Sequence, residues 1–403
     1  MKKYIILTNS ITNMGGGQMF AANKSIYLRD HGWNVSIFFS NPQGNIFIPE
    51  LQRYKENCVS ELNYPFYFFS KKKRTKVLSK IIKEISKDDE VVIETHTYVS
   101  RYWGELIAKA VGGKHIIDDL GEILPELNKN ELDYLEWKLK RKEILNVDSE
   151  KSLQRYLNSK YTPDYLRYIH NYMVMAYCSN VTTSVKADLS QIPVSDFTIL
   201  SVGRLDKPYI LPSVQEVIKF AKYYTNYRFN LLFVGGSTKG DADKKILELC
   251  KNIPNLHVHN FGYIFPVPEN IIDSADAAFA SSNSVLVSAN RGVPTISIDV
   301  HDMQPIGIYG KTTNSHLLRN SEPIVPIYEL LKQILVDKIY LKENKCNDGE
   351  KDTFNKVFGK QTEFLTLSPY DGLTYDIDSL FPWYSSVFSR IKLLAYKIFN
   401  VLR

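Results

Sequence analysis

The sequence is short of cysteine, of charge imbalance and of long apolar runs, and each shortage removes a class of protein. Its four cysteines, Cys58, Cys178, Cys250 and Cys346, are scattered over 403 residues with no C-x-x-C pair. That argues against a zinc ligand set and a disulfide framework, and it suits a reducing compartment. No run of 18 apolar residues occurs, so no membrane-spanning helix is expected. Met1-Lys2-Lys3 leads straight into a strand pattern, without the apolar segment of a signal peptide. The net charge is only +6, from 50 basic and 44 acidic residues. A nucleic-acid groove would concentrate such charge, so no nucleic-acid partner is expected. The one tight basic run, Lys71-Lys72-Lys73-Arg74 with Lys76, reads as a solvated loop near an acceptor or a membrane, ahead of a helix from Val77 to Ile85. No repeat of solenoid period is visible.

What is present is a strand, turn and helix unit that occurs twice, about 200 residues apart. Tyr4-Ile5-Ile6-Leu7-Thr8 is a short apolar run leading to Gly15-Gly16-Gly17, the pattern of a buried parallel strand entering a tight turn. Helical spacing follows from Gln18 to Arg29, and Gly32 stops it before the strand at Trp33 to Phe39. Three glycines at a helix start let backbone N–H groups approach an anion or a sugar hydroxyl, and they also make a plain tight turn. Glu90 to Glu94 and Lys114 to Asp118 read as further buried strands around a helix from Trp103 to Val111, with helices over Asn130 to Lys142 and Leu153 to Tyr172 and a last strand at Met173 to Tyr177. Functional groups of open α/β sheets gather at the carboxyl ends of strands. Glu94, His96, Asp118, Asp119 and Glu122 are therefore candidates to line a cleft. The bland alternative is that Asp118 and Asp119 cap the segment that follows and that His96 is a satisfied polar residue.

The second unit opens with Phe197 to Val202, turns at Gly203-Arg204 with Lys207 just beyond, and continues into a helix from Val214 to Tyr224. A guanidinium and an ammonium at a strand's carboxyl end suit phosphate oxygens. Asn230 to Val234 then ends at Gly235-Gly236-Ser237, and Leu256 to Asn260 runs on to Phe261-Gly262-Tyr263-Ile264. His257 and His259 alternate on that strand and are expected at solvent or at the sheet's edge. Asp276 to Ala280 ends at Ser281-Ser282-Asn283-Ser284, followed by a helix closing at Gly292-Val293-Pro294 and the strand Thr295 to Ile298. Hydroxyls and free N–H groups at that helix start make a further anion cradle.

The order GGGQ, SVGRLDK, LLFVGGS, FGYI and ADAAFASSNSVLVSANRGVPTI resembles the GT-B glycosyltransferases, in particular the large retaining family of bacterial capsule, exopolysaccharide and lipopolysaccharide transferases, over roughly residues 4 to 300. The resemblance implies an α/β fold of two Rossmann-like parallel-sheet domains facing a cleft. It gives an acceptor domain at 1–178, a linker at 179–197, a nucleotide-sugar domain at 198–340 and a C-terminal segment at 341–403. It implies that Arg204 and Lys207 hold the donor diphosphate, with Gly203, Gly235 and Gly236 beside it. Tyr263 and Ile264 would hold the base, Gly16 and Gly17 would face the diphosphate and acceptor, and Ser282, Asn283 and Ser284 would supply hydrogen bonds at the donor. Metal is dispensable in that arrangement, and no cofactor beyond the nucleotide-sugar substrate is expected. Two departures stand out. Only Leu205 and Asp206 separate Arg204 from Lys207, and Val287 stands where the family's ribose-binding glutamate is expected. If the enzyme inverts, one of His96, Asp118, Asp119 or Glu122 is the base for the acceptor hydroxyl; if it retains, they orient the acceptor. A nucleotide-sugar epimerase and a catalytically degenerate partner subunit of the same fold are the alternative readings.

At the C-terminus, Val387, Phe388, Ile391, Leu394, Ala395, Ile398, Phe399, Val401 and Leu402 share one broad helical face with Arg390, Lys392, Lys397 and Arg403 at its borders. The amphipathic helix over 383–403 suits a membrane interface, or alternatively docks on the first domain. The whole reading is a cytoplasmic enzyme, peripheral at the inner face of the plasma membrane, that moves a sugar to a lipid-linked surface glycan.

Overall fold

A computed structural model describes residues 1–13, 15–83, 85–120, 126–172, 181–237, 241–343, 350–381 and 391, without the side chains of 350–354. The contacts divide the chain into two units. Unit 1 holds Met1–Asn13, Gly17–Ala176 and Thr353–Arg403, and unit 2 holds Met14–Gly16 and Tyr177–Asp352.

Unit 1 is built on four parallel strands, β1 (Lys2–Thr8), β2 (Asn34–Phe39), β3 (Glu90–Thr95) and β4 (Lys114–Ile117), in the order β2-β1-β3-β4. Such strands are covered on both faces and so read as continuous apolar runs. One face packs Ile5, Leu7, Val91, Ile93 and Ile117 against α2 (Lys71–Ile82), α3 (Tyr98–Val111), α4 (Lys129–Lys140) and α5 (Glu150–Leu157). The crossover helix α1 (Gly16–Asp30) buries Ala21, Ala22, Lys24, Ser25 and Leu28.

Three expectations about elements are corrected. Helix α1 begins inside the glycine run, so Gly16 and Gly17 are its first turn. The basic run is the first turn of α2, because Ser70 caps it by accepting from the Lys73 N–H. The tyrosine-rich stretch is α-helical only as far as Leu157 and continues as short 3-10 turns at Asn158–Lys160 and Pro163–Tyr168, where Pro163 has no N–H for an α-helical ladder. The strand expected at Met173 to Tyr177, Glu122, Cys178, Cys346 and, apart from Ile391, the helix over 383–403 lie outside the described residues.

Unit 2 centres on β6 (Phe197–Val202), β7 (Phe229–Val234), β8 (Leu256–Asn260), β10 (Ala277–Ala280), β11 (Thr295–Ile298) and β12 (Pro305–Ile308), in the order β12-β11-β10-β6-β7-β8. All neighbours pair in parallel except β11 with β12. The helices α6 (Ile210–Tyr223), α7 (Asp241–Cys250) and α10 (Ile327–Leu331) cover one face, and α8 (Glu269–Asp273) and α9 (Asn283–Ala289) cover the other. Thr182–Thr183 forms a two-residue strand, β5, beside β9 (Val267–Pro268). His257 and His259 lie on the edge strand β8 as expected.

Beyond unit 2 the chain returns to unit 1 through α11 (Glu350–Leu367). Phe358, Phe364, Ile377 and Leu380 are buried there. Lys114 donates to the carbonyls of Leu365 (2.6 Å) and Ser368 (2.8 Å), and Arg141 forks onto Asp371. Residues 355–381 are thus part of unit 1, where the sequence suggested a separate segment. Among the described residues, no helix is long and apolar enough to cross a membrane.

Candidate functional site

In unit 2 the candidate residues meet along the carboxyl ends of adjacent strands. The turn after β6 runs through Gly203, with φ +135°, and the turn after β7 through Gly235, with φ +153°. A Cβ on Gly235 would lie 1.8 Å from the Gly203 carbonyl oxygen, so only glycine fits and the two turns stack directly. Hydrogen bonds lock the row: Gly203 N–H to Val234 O (2.9 Å), Leu205 N–H to Gly236 O (3.0 Å) and Gly235 N–H to Gly262 O (2.8 Å). The Tyr263 ring covers Gly236 and its hydroxyl donates to the Gly236 carbonyl (2.9 Å). On the other side, Ser284 Oγ would be 3.2 Å from a Cβ on Gly203. The loops after β10, β6, β7 and β8 therefore form one backbone ledge in sheet order.

Arg204 rises from this ledge with its side chain 43% exposed, and Nε is 3.5 Å from Asp206 Oδ1. That pair is long and solvated, so it leaves the guanidinium able to change partners. Lys207 lies in the turn before α6, where its carbonyl accepts from the Ile210 N–H (3.1 Å). Ser282 has φ +61° and ψ −148°, a conformation that costs a non-glycine residue about 1–3 kcal/mol. Its N–H is held by the His316 carbonyl (2.7 Å), at the border of a polar groove of 740 Å³ lined by residues from Gly310 to Glu322. Helix α9 is only seven residues long. Ile264 packs on the apolar face of unit 2, and Val287 is buried in the same core. No carboxylate occupies the glutamate position. The Asp-x-Asp spacings at 241–243 and 376–378 belong to helix starts: Asp241 and Asp243 open α7, and Asp378 pairs with Arg74 (2.6 Å).

In unit 1, His96 and Asp118 come together at the ends of β3 and β4, and both are buried. Glu94 organises them. It accepts from Tyr4 and Lys24 through Oε2 and from His96 Nε2 through Oε1 (2.8 Å). Burial alone would raise its proton affinity, but Lys24 and His96 outweigh it and hold Glu94 well below the usual carboxylate range. Asp118 has the opposite fate. Burial first, and then the Glu94 anion, push its proton affinity well up. Neither Asp118 oxygen, nor His96 Nδ1, has a hydrogen-bond partner among the described residues. Asp119 points elsewhere, into a buried ion pair with Arg101. Stripping one partner from such a pair costs about 3–5 kcal/mol, which makes Asp119 structural.

Donor atoms of Glu94, His96 and Asp118 lie within 4.8 Å of one another, close enough to surround a cation. Both Glu94 oxygens are already committed, however, and the Lys24 ammonium supplies the positive charge. This cluster carries its own cation. The sequence reading missed Lys24 and Tyr4. The available signal was a lysine three residues from Ala21 and four from Leu28, on the buried stripe of α1, where an ammonium needs an anionic partner.

No protein-family model matches the sequence, and no curated protein matches it either. Solved structures do. A glycosyltransferase from Rickettsia africae ESF-5 superposes with a TM-score of 0.59 at 15% identity, covering 92% of this chain and 95% of that one. Anabaena HepE, solved in complex with UDP and glucose, gives 0.54 at 13% identity over 91% and 96%. The lipopolysaccharide outer core galactosyltransferase WaaB gives 0.50 at 15% identity over 91% and 99%. The chain has the GT-B fold, with a Rossmann-like parallel-sheet architecture in each unit.

Proposed function

We propose that this protein is a nucleotide-sugar-dependent glycosyltransferase of the retaining hexosyltransferase type, acting on a surface glycan carried by a lipid. The observation that supports it most is the ledge of unit 2. Gly203, Gly235 and Gly236 let the strand-end turns stack into one backbone surface, and Arg204 stands beside them with, among the described residues, only a weak internal partner. In such a transferase the leaving group is a nucleoside diphosphate, so the protein's main task is to stabilise its developing negative charge. We assign the diphosphate to Arg204 and Lys207, the base to Tyr263 and Ile264, and the sugar's hydrogen bonds to Ser282, Asn283 and Ser284. The solved structures of the same fold include one described with UDP and glucose and one described as a galactosyltransferase, which supports this donor class. The first unit is assigned to the acceptor, and the apolar face over 383–403 to the inner surface of the membrane.

An epimerase acting on a nucleotide sugar is the second reading, favoured by the buried acid–base set around Glu94. One experiment separates the two. The full chain is incubated with a panel of nucleotide sugars and with vesicles carrying a lipid-linked glycan, and products are read by mass spectrometry. A transferase extends the vesicle glycan and releases a nucleoside diphosphate, and Arg204→Ala slows this at least about 10-fold. A chain ending at residue 382 extends only a detergent-soluble acceptor. Interconversion of the free nucleotide sugar without release would establish the epimerase, and equal activity of the shortened chain on vesicles would remove the membrane assignment.

A further inference from the structure

Residues 61–83 carry seven basic side chains and one acidic, a surplus equal to the +6 of the whole chain. All seven lie on or just after α2 of unit 1, and no acid stands in that helix's first turn. Cations at a helix start run against its dipole, so Lys71, Lys72, Lys73 and Arg74 do not serve the stability of α2. Only part of their charge is neutralised within the fold. Glu61 takes Lys73 and, at 3.8 Å, Lys80. Arg74 pairs with Asp378 (2.6 Å), donates to the Phe69 carbonyl (3.1 Å) and lies over the Phe66 ring. Lys71, Lys72 and Lys76 are exposed and have no ion-pair partner among the described residues.

Aromatic side chains flank the same turn. Tyr64, Tyr67, Phe68 and Phe69 are partly exposed on the chain entering α2, and Phe66 is buried against Tyr67. The returning C-terminal chain meets them there. Between ring centroids, Phe381 lies 4.1 Å from Tyr67, 5.8 Å from Phe66 and 5.4 Å from Tyr102 of α3. Phe381 and the Arg74–Asp378 pair thus hold the root of the segment over 383–403 beside the basic turn.

We infer that this aromatic and basic turn of unit 1 is a second membrane contact, a surface for anionic lipid headgroups set beside the root of the C-terminal segment. This rests on the membrane assignment made with the glycosyl-transfer reading. Stable anchoring ordinarily takes two signals. The C-terminal face supplies the apolar one, and Lys71, Lys72 and Lys76 supply the electrostatic one.

The chemistry of the patch favours lipid over the other polyanions. A basic cluster next to an apolar element is drawn to the negative surface of a membrane, and the attraction fades within a Debye length. Partly exposed tyrosine and phenylalanine suit the headgroup level, where apolar ring and water meet. A single-stranded nucleic acid needs open ring faces on which its bases stack. Here the Tyr67 ring is already engaged by Phe381, Phe66 and Phe68.

The test is flotation of the full chain with vesicles of phosphatidylcholine, with and without phosphatidylglycerol, comparing wild type with the combined variant Lys71→Gln, Lys72→Gln and Lys76→Gln. Wild type should prefer the anionic vesicles. The variant should bind them at least about 10-fold more weakly, with its melting and its binding to neutral vesicles unchanged. Equal binding of anionic vesicles by the two proteins overturns the inference. So does an equal loss on both kinds of vesicle, or binding of a single-stranded oligonucleotide in place of vesicles. If the variant does not fold, the salt dependence of the wild type decides it. Raising the ionic strength from about 0.1 M to about 1 M shortens the Debye length from about 10 Å to about 3 Å and should abolish the anionic preference; a preference that persists overturns the inference. Flotation needs neither donor nor acceptor, so a failure of the transfer reading is seen separately, as absence of glycan extension.

Discussion

Asp118 binds a proton more tightly in the folded chain than in the unfolded one, and this makes it a pH-dependent liability. Its pKa rises from the ordinary 3.8 to about 7 because burial and the Glu94 anion both penalise the charge. A raised affinity contributes stability at low pH and loses it as pH climbs through the folded value. Between about pH 4 and about pH 7, this one group should lower unfolding stability with a slope of up to about 1.4 kcal/mol per pH unit. Glu94 works in the other direction, and its contribution disappears only as pH falls towards about 2. Asp118→Asn should therefore flatten the stability profile between pH 4 and 7, measured by urea titration at a series of pH values. An unchanged slope would mean that Asp118 is not a buried, shifted carboxyl. His96 and Asp118 were legible in the sequence because polar residues ending apolar runs mark strand ends. Lys24 was not, since a lone lysine on a helix is ordinarily solvated, and its partner Glu94 lies 70 residues away.

At the scale of elements, strands were read more faithfully than helix starts. The strand Thr295–Ile298 has the bounds expected of it, fully buried between Pro294 and Asp299 with Thr295 and Ser297 enclosed beside its isoleucines. Helices α1 and α2 start earlier than expected, since capping by Ser70 and the permissive backbone of glycine are stronger local facts than the polarity of the residues they admit. The turns between elements carry the ledge of unit 2, and Gly235 is its most constrained point. Gly235→Ala would set a Cβ 1.8 Å from the Gly203 oxygen at a φ of +153°. It should cost at least about 2 kcal/mol, a fall of about 4–8 °C in melting. Gly16→Ala, with no atom within 4 Å of the added Cβ, should leave melting unchanged or raise it slightly, as alanine does within helices. Equal effects of the two substitutions would show that the stacked turns are not a steric requirement.

For the molecule as a whole, the two-unit α/β organisation was legible from a strand, turn and helix pattern that appears twice in order. The return of residues 355–381 to unit 1 was not. Its contacts pair residues more than 200 positions apart, such as Arg141 with Asp371 and Tyr370 with Val91, and their short polar sequence carries no periodicity that announces a docking site. The departure at Val287 was legible, and the structure gives it a physical form, an apolar core residue where an anionic ligand for a ribose was expected. The central claim is that the ledge of unit 2 nevertheless holds a nucleoside diphosphate. Calorimetric titration of the full chain with UDP, GDP, ADP and CDP tests it most directly, comparing wild type with Arg204→Ala. The account predicts that one nucleotide binds with a Kd of the order of micromolar, weakened about 10-fold or more in the variant. Binding of none of the four, or binding that Arg204→Ala leaves unchanged, would contradict it.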